Sequence, residues 1–558
     1  MKASNDHRSR LSREDFLRAG AGAGAVLSAS TALGAAALPG AAQSQEIGPS
    51  SSAARAHRAE SIRCDAARAY LSRPLSPPVT NGDDERYADR RASFTKTLPS
   101  NDLGEVDPAA YGALLAAFKN AHPDDFERIP QAPGCATKLN NPQAAFAFEL
   151  AGVDSNATRI VPPPAFASAA AASDMAEVYW RALVRDVPFR AFEDSPLIAA
   201  AAADLNAFSV PSSAALGKVS PTIIFRGETP GCRIGPYLSQ FLWLPIPYGI
   251  ARIDQQYRFP ARNQQFLTSM PEWLACQRGA RPSAKLQFDA TLRFISSFRE
   301  LAEYVHQDFS YQPYLSAALA ILQWGLDAMS PTNPYRSYKV EFGDITFGNK
   351  NVLTLLAQTA LLGQKGSWYQ KWLLHRRARP EVYAARVEVQ AGGTKQYGVS
   401  EEIVRSAAVA RTKTAYSTRL LPLAYPEGSP THPSYPAAHA ATAGACITVL
   451  KAFFNEDFPI PNPVQATPDG SALEAWTGPT LTLGNEIDKL AANVALGRDA
   501  AGVHFRSDSM HGLLVGEQQA LGLLADYSRT YNERFAGFAV TRLDGRRVLI
   551  TQGEIRRA

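Results

Sequence analysis

Three short segments of the chain concentrate the residue types that can hold, or attack, a multiply charged group. The first is Trp368-Tyr369-Gln370-Lys371-Trp372-Leu373-Leu374-His375-Arg376-Arg377-Ala378-Arg379-Pro380. Lys371, His375 and Arg379 recur at steps of four, so on a continuous helix they share one stripe until Pro380 stops it. Two cations on one stripe mean either a solvated face or an anion clamp, and in isolation the solvated face is the commoner outcome. Arg376 and Arg377 face elsewhere, toward solvent or carboxylates.

The second segment is His432-Pro433-Ser434-Tyr435-Pro436-Ala437-Ala438-His439, followed by an Ala-rich run to Phe453. Pro436 suits the first position of a helix. The unpaired N–H groups of such a helix start attract anions, and His439 in the first turn can donate to a bound oxygen. Ile447, Leu450 and Phe453 form the buried stripe, while the small residues 440–445 permit close helix packing. The third segment is Gly497-Arg498-Asp499-Ala500-Ala501-Gly502-Val503-His504-Phe505-Arg506-Ser507-Asp508. A helix carrying Ile487, Leu490, Ala491 and Val494 is expected to end near Gly497. His504 and Asp508 are four apart and stack on one helical face. There the carboxylate holds one imidazole N–H and leaves the other nitrogen free as nucleophile or metal ligand. His511 extends that face and reads as packing or surface. Five of the nine histidines fall between 375 and 511.

In this order, Lys371…Arg379-Pro380, Pro436-Ala437-Ala438-His439 and Arg498-x5-His504 resemble the shared signature of PAP2-type acid phosphatases and vanadium haloperoxidases. That signature is a Lys…Arg-Pro, a Pro-Ser-Gly-His and an Arg-x5-His element. The eight-residue step from Lys371 to Arg379 and its flanking string are similar to those of the algal and cyanobacterial bromoperoxidases. So is His432, which matches an auxiliary histidine of that group where fungal chloroperoxidases carry an aromatic. The long N-terminal region, including Gly235-Pro236-Tyr237, is similar too. The resemblance spans about 330–530, and more weakly 135–330.

The resemblance implies an all-α fold of helical bundles and a vanadate cofactor. His504 would bind vanadium, and Asp508 would orient it. Lys371, Arg379, Arg498 and the N–H of Ala438 would surround the remaining oxygens. His439 would be the acid–base group, supported by His432, which would alternatively serve the halide. The partners implied are hydrogen peroxide, a halide (bromide first), small organic substrates and further copies of the chain in a homo-oligomer. The alternative within the superfamily is a phosphatase or phosphotransferase, in which His504 attacks phosphorus and His439 protonates the leaving alcohol. A third reading is a repurposed oxyanion-binding homologue. Ala437-Ala438 departs from the usual Ser-Gly, removing a hydroxyl whose hydrogen bond to a charged group is worth ~1.5–3 kcal/mol.

The elements that must position these segments are mostly helical. Residues 1–42 read as an export signal: basic residues up to Arg18, an apolar stretch from Ala19 to Leu38, then small residues. Ser12-Arg13-Glu14-Asp15-Phe16-Leu17 resembles a twin-arginine motif, with Glu14 at the second arginine position. Export to the periplasm or medium follows as an expectation, with no membrane insertion after signal removal. Residues 43–107 read as a lead-in, disordered over 43–60 and extended from 73. Residues 108–285 form an N-terminal helical region with long loops from 216, and 286–530 the catalytic helical domain. Residues 531–558 form a tail whose Asp544-Gly545 predicts a β-hairpin between Phe538–Leu543 and Arg546–Thr551.

The net charge of +5, with no basic stripe, excludes a nucleic-acid footprint. Of the five cysteines, Cys446 reads as a buried thiol. After export the other four allow two bridges in any of three pairings. No G-x-S-x-G elbow, H-E-x-x-H helix or P-loop is present.

Overall fold

The small residues of the second segment set the architecture. In the computed structural model, which describes residues 51–558, helix Ala438–Phe453 is buried along nearly its whole length. It packs against helices Asn349–Trp368, Leu483–Ala501 and Arg506–Tyr527. Glycines let the axes approach closely. A Cβ at Gly516 would collide with the Ala441 carbonyl oxygen, and one at Gly444 with that of Leu513. Ile447, Leu450 and Phe453 join the core, as do Ile487, Leu490, Ala491 and Val494 of the neighbouring helix. The fold is the expected all-α arrangement with a few small antiparallel sheets.

Several expectations are corrected. Residues 52–71, part of which was expected to be disordered, form helix Ser52–Leu71, with none of its residues buried. Its alanines and arginines are strong helix formers, which a reading of polarity alone missed. The loops after 216 include two strand pairs, Ile246–Tyr248 with Ala251–Ile253 and Tyr257–Pro260 with Phe288–Arg293. The tail hairpin forms around Gly545, but a third strand, Glu554–Arg557, pairs with Arg547–Thr551. All five cysteines are free, so neither bridge of the sequence reading forms. The proposed signal, residues 1–42, lies outside the described residues. Among the described residues, no helix is long and apolar enough to cross a membrane.

The lead-in packs onto the first functional segment. The Phe94 N–H donates to the Arg376 carbonyl (2.7 Å) and the Ala378 N–H to that of Ala92 (2.8 Å). The Phe94 and Trp372 rings meet edge to face at 5.5 Å. Residues 90–98 thereby fix the backbone that carries Arg377 and Arg379.

The close packing makes a prediction. Gly516→Ala forces backbone apart and should cost about 1–3 kcal/mol or more, read as a lowered thermal unfolding midpoint. Gly112→Ala, in the exposed face of helix Pro108–Asn120 with open space at its Cβ position, should leave the midpoint unchanged or raise it. Equal midpoints for Gly516→Ala and the unsubstituted protein would refute the close-approach argument.

Candidate functional site

The three segments meet, though not by the helical stripes their spacing suggested. Helix Asn349–Trp368 widens into a π-helical turn, Tyr369–His375, that carries Lys371. The turn ends where Arg376 adopts a left-handed conformation (φ 40°). Arg377 to Arg379 then run non-helically, and Pro380 begins the next helix, Pro380–Ala391. Lys371 and Arg379 therefore do not share a stripe, and Pro380 starts a helix rather than stopping one. His375 is buried away from the cavity, bonded to Gln370 (3.2 Å) and edge-on to Tyr435.

Helix Ala438–Phe453 starts two residues later than expected, after a cis Tyr435–Pro436 bond and with Ala437 as its N-cap. Its first turn has no side-chain cap, so its N–H groups remain for another acceptor. Helix Leu483–Ala501 continues past Gly497, which packs on Leu301 and Val305, and ends at left-handed Gly502. Arg498 thus sits in its last turn. His504 precedes helix Arg506–Tyr527, and Asp508 reaches back to it from the first turn. The contact expected between them forms by capping rather than by helical stacking. The Asp508 carboxylate accepts from His504 Nδ1 (2.9 Å) and from the Phe505 N–H (3.1 Å).

His432, Ala438, His439, Arg498, His504 and Trp368 line a cavity of about 390 Å³. Lys371 and Arg379 stand immediately behind its wall. Arg379 Nη1 donates to His504 Nε2 (2.9 Å), and Nη2 approaches His432 Nδ1 (3.1 Å). Because guanidinium only donates, His504 Nε2 bears the lone pair and Nδ1 the proton given to Asp508.

The three cations share an unusual form of support. Lys371 Nζ donates to the carbonyls of Pro433 and Ser434, both at 2.7 Å. Arg379 donates to those of His432 and Val503, and Arg498 to that of Val305 (2.8 Å). Carbonyls fix position without cancelling charge. The surrounding arginines are instead paired with carboxylates: Arg376 with Asp84, Arg506 with Glu177, and Arg377 with Asp508 and Asp174.

The electrostatics show the same imbalance. Burial first, then Arg379 and Arg498, holds the Lys371 ammonium well below its usual range, against the pull of Asp508. Burial, with Arg498 adding to it and Asp508 opposing, brings Arg379 down to about 9. His504 and His432 are held neutral, chiefly by burial and then by the neighbouring cations. Asp508 is buried, which raises its pKa, yet Arg377 and His504 keep it far below the carboxylate range. Arg498 Nε is buried and has no hydrogen-bond partner within the protein. An orphaned cationic donor, uncapped helix N–H groups and repelling cations fit one kind of ligand, a compact oxyanion.

Sequence reasoning missed two contributors. Asp308, the residue closing helix Phe298–Gln307, accepts from His439 Nε2 at 3.1 Å. It lies 131 residues from its partner, and no local spacing marks it. Ser434 donates its hydroxyl to Asp508, a contact hidden in a turn-like Pro-Ser-Tyr-Pro string. Ala437 is fully buried and absent from the cavity lining, and its N–H donates to the Asp508 carbonyl (2.9 Å). His511 packs against Tyr435, as the sequence suggested.

The chain matches the model of the VCPO second helical-bundle domain over residues 364–533. It is 34% identical over 482 residues to a vanadium-dependent bromoperoxidase of Ascophyllum nodosum, covering 82% of this chain and 85% of that protein. It is 30% identical to a vanadium-dependent bromoperoxidase of Corallina pilulifera, covering 89% and 98%. The homohexameric structure of the second vanadate-dependent bromoperoxidase (AnII) of Ascophyllum nodosum superposes with a TM-score of 0.86 at 25% identity, covering 94% of this chain and 97% of that one.

If the cavity is an oxyanion cage, Arg498→Gln should weaken phosphate binding to the protein by roughly 10- to 100-fold, the equivalent of ~1.5–3 kcal/mol. Calorimetric titration measures it. Arg190→Gln, on the surface beside Glu474, should change nothing. Unaltered affinity in Arg498→Gln would place the anion elsewhere.

Proposed function

The chain belongs to the family of vanadium-dependent bromoperoxidases, and from that premise we propose that it uses vanadate to oxidise halide, bromide first, with hydrogen peroxide. The observation that carries the reading is the set of three buried cations, held by carbonyls rather than carboxylates, around the His504–Asp508 pair. When bound, vanadate supplies a V(V) Lewis acid that makes hydrogen peroxide electrophilic toward halide without a change of oxidation state.

The residues have separable tasks. His504 would present Nε2, whose lone pair accepts from Arg379 Nη1 at 2.9 Å until that contact yields to the oxyanion, as the one protein ligand, while Asp508 holds Nδ1–H and so fixes the tautomer. Lys371, Arg379 and Arg498, with the Ala438 N–H, neutralise the oxyanion and draw electron density from it. They are already in place, so little reorganisation is needed during reaction. His439 gives its Nε2 proton to a hydrogen bond with Asp308, which leaves Nδ1 as the atom that takes up or releases a proton at the cavity. His432 is held neutral against Trp368, with ring centres 4.8 Å apart, and closes the wall without adding charge. Hypohalous acid leaves the cavity to meet small organic substrates in solvent.

The chain forms a homo-oligomer, a reading supported by the homohexameric relative. It is exported through residues 1–42, a reading supported by the sequence alone.

The deciding experiment measures bromination of monochlorodimedone with and without orthovanadate, alongside hydrolysis of a phosphomonoester. Bromination dependent on vanadate is expected. His504→Ala should abolish it, and Asp508→Ala should weaken vanadate affinity by ~10–100-fold. Phosphomonoester hydrolysis without bromination would establish the phosphatase reading instead, and full bromination by His504→Ala would refute the site.

A further inference from the structure

Behind the cavity wall lies a second cluster that the halide chemistry does not use. Lys96, from the lead-in, and Cys276, from helix Met270–Gln277, are both buried. Lys96 Nζ lies 3.3 Å from Cys276 Sγ and also donates to the carbonyls of Glu427 (2.8 Å) and Ser429 (2.5 Å). A Glu381 carboxylate oxygen stands 3.7 Å from the ammonium. The Cys276 thiol donates to the Glu427 carbonyl at 3.0 Å. Left-handed Gly428 roofs the group, since a Cβ there would press within 2.9 Å of both the sulfur and Glu381. The contacts of the other buried or half-buried cysteines differ in kind, Cys446 donating to the Leu356 carbonyl. Cys232 meets Thr229, and Cys135 meets Gln131 and Thr137.

We propose that Lys96 and Cys276 are a modification site, in which the enzyme's own hypohalous acid joins them by a sulfur–nitrogen bond. The proposal rests on the halide-oxidising reading, because that activity supplies the oxidant. In the first step the sulfur attacks the bromine of hypobromous acid. The S–Br bond forms, the Br–O bond breaks, and the departing hydroxide takes the thiol proton as water. Sulfur is oxidised by two electrons. In the second step Lys96, having passed one proton to Glu381, attacks sulfur through its lone pair. The S–N bond forms, bromide leaves with the S–Br electrons, and the second nitrogen proton passes to solvent. The pair loses two hydrogen atoms, and hypobromous acid becomes bromide and water.

The geometry suits both steps. The amine is already against the sulfur, so the sulfenyl bromide meets nitrogen before a second oxidant, which would otherwise carry the thiol toward sulfinic acid. Glu381 stays satisfied afterwards, because it also accepts from Gln277 (2.7 Å) and from the Ser429 N–H and hydroxyl (2.8 and 2.9 Å). Burial pushes the Cys276 thiol up to about 11, and although burial opposes it, Cys276 and Glu381 hold the Lys96 ammonium above its usual range; proton removal therefore limits both steps, and the bond accumulates over many turnovers. Its effect is structural. It ties the lead-in, which fixes the Arg376–Ala378 backbone, to the helix beside the loop that leads to His432.

The test uses the vanadate-loaded enzyme turning over bromide and peroxide, followed by unreduced peptide mapping. The expected product is a Lys96–Cys276 linked peptide pair lacking two hydrogens, uncut by trypsin after Lys96 and released by thiol reductant. A raised thermal midpoint should accompany it and be lost on reduction. A parallel arm adds reagent hypobromous acid to the protein without peroxide. In Lys96→Arg, Cys276 should proceed to sulfinic acid, and in Cys276→Ser no link should form in either arm. Oxidised Cys276 beside free Lys96 after the reagent overturns the proposal, as does an unlinked pair after extensive bromide oxidation. Linkage by the reagent in a protein that cannot oxidise bromide overturns the functional reading instead.

Discussion

Holding like charges together inside a protein is the constraint on which the rest of this structure depends. Lys371, Arg379 and Arg498 are buried around one point, and the carboxylates nearby are already engaged: Asp508 by Arg377 and His504, Asp308 by His439, and Glu381 by Gln277 and Ser429. Each buried charge costs several kcal/mol of desolvation unless compensated. The fold compensates them with backbone carbonyls, which supply dipoles and geometry but no opposite charge. A carboxylate in any of those places would stabilise the free protein and weaken its hold on an anion. The tight glycine-mediated packing of helix Ala438–Phe453 has the complementary task of keeping the carbonyls and the free helix N–H groups from relaxing toward one another.

Much of this was legible because charge and spacing are local properties. Lys371, Arg379, His439, Arg498, His504 and Asp508 were all visible as residue types in short strings, and the structure brings them to one cavity or its wall. The connections among them were less legible. Four-residue steps were read as helical, but Lys371 and Arg379 are separated by a helix break, and His504 and Asp508 by a helix start. Gly497 was read as a terminus because glycine commonly ends helices, yet its missing side chain serves packing on Val305, and Gly502 makes the turn. Asp308 was illegible for a different reason: its contact with His439 exists only through the tertiary approach of two helix ends.

The break at Arg376 also decides what the neighbouring arginines can do. On a helix, residues two apart point to nearly opposite sides. Along an extended chain they share a face and stand ~6–7 Å apart. Arg377 and Arg379 use that geometry to grip the two ends of one dyad: Arg377 Nη1 donates to Asp508 Oδ1 at 2.7 Å, and Arg379 Nη1 to His504 Nε2 at 2.9 Å. Arg377 also lies over the Phe505 ring at 3.9 Å, so it holds the residue between the imidazole and the carboxylate. The same two arginines on an unbroken helix could not both reach the dyad. The left-handed residue at 376 is therefore what converts a basic string, ordinary in composition, into one arginine that anchors the orienting carboxylate and another that caps the imidazole at the cavity wall.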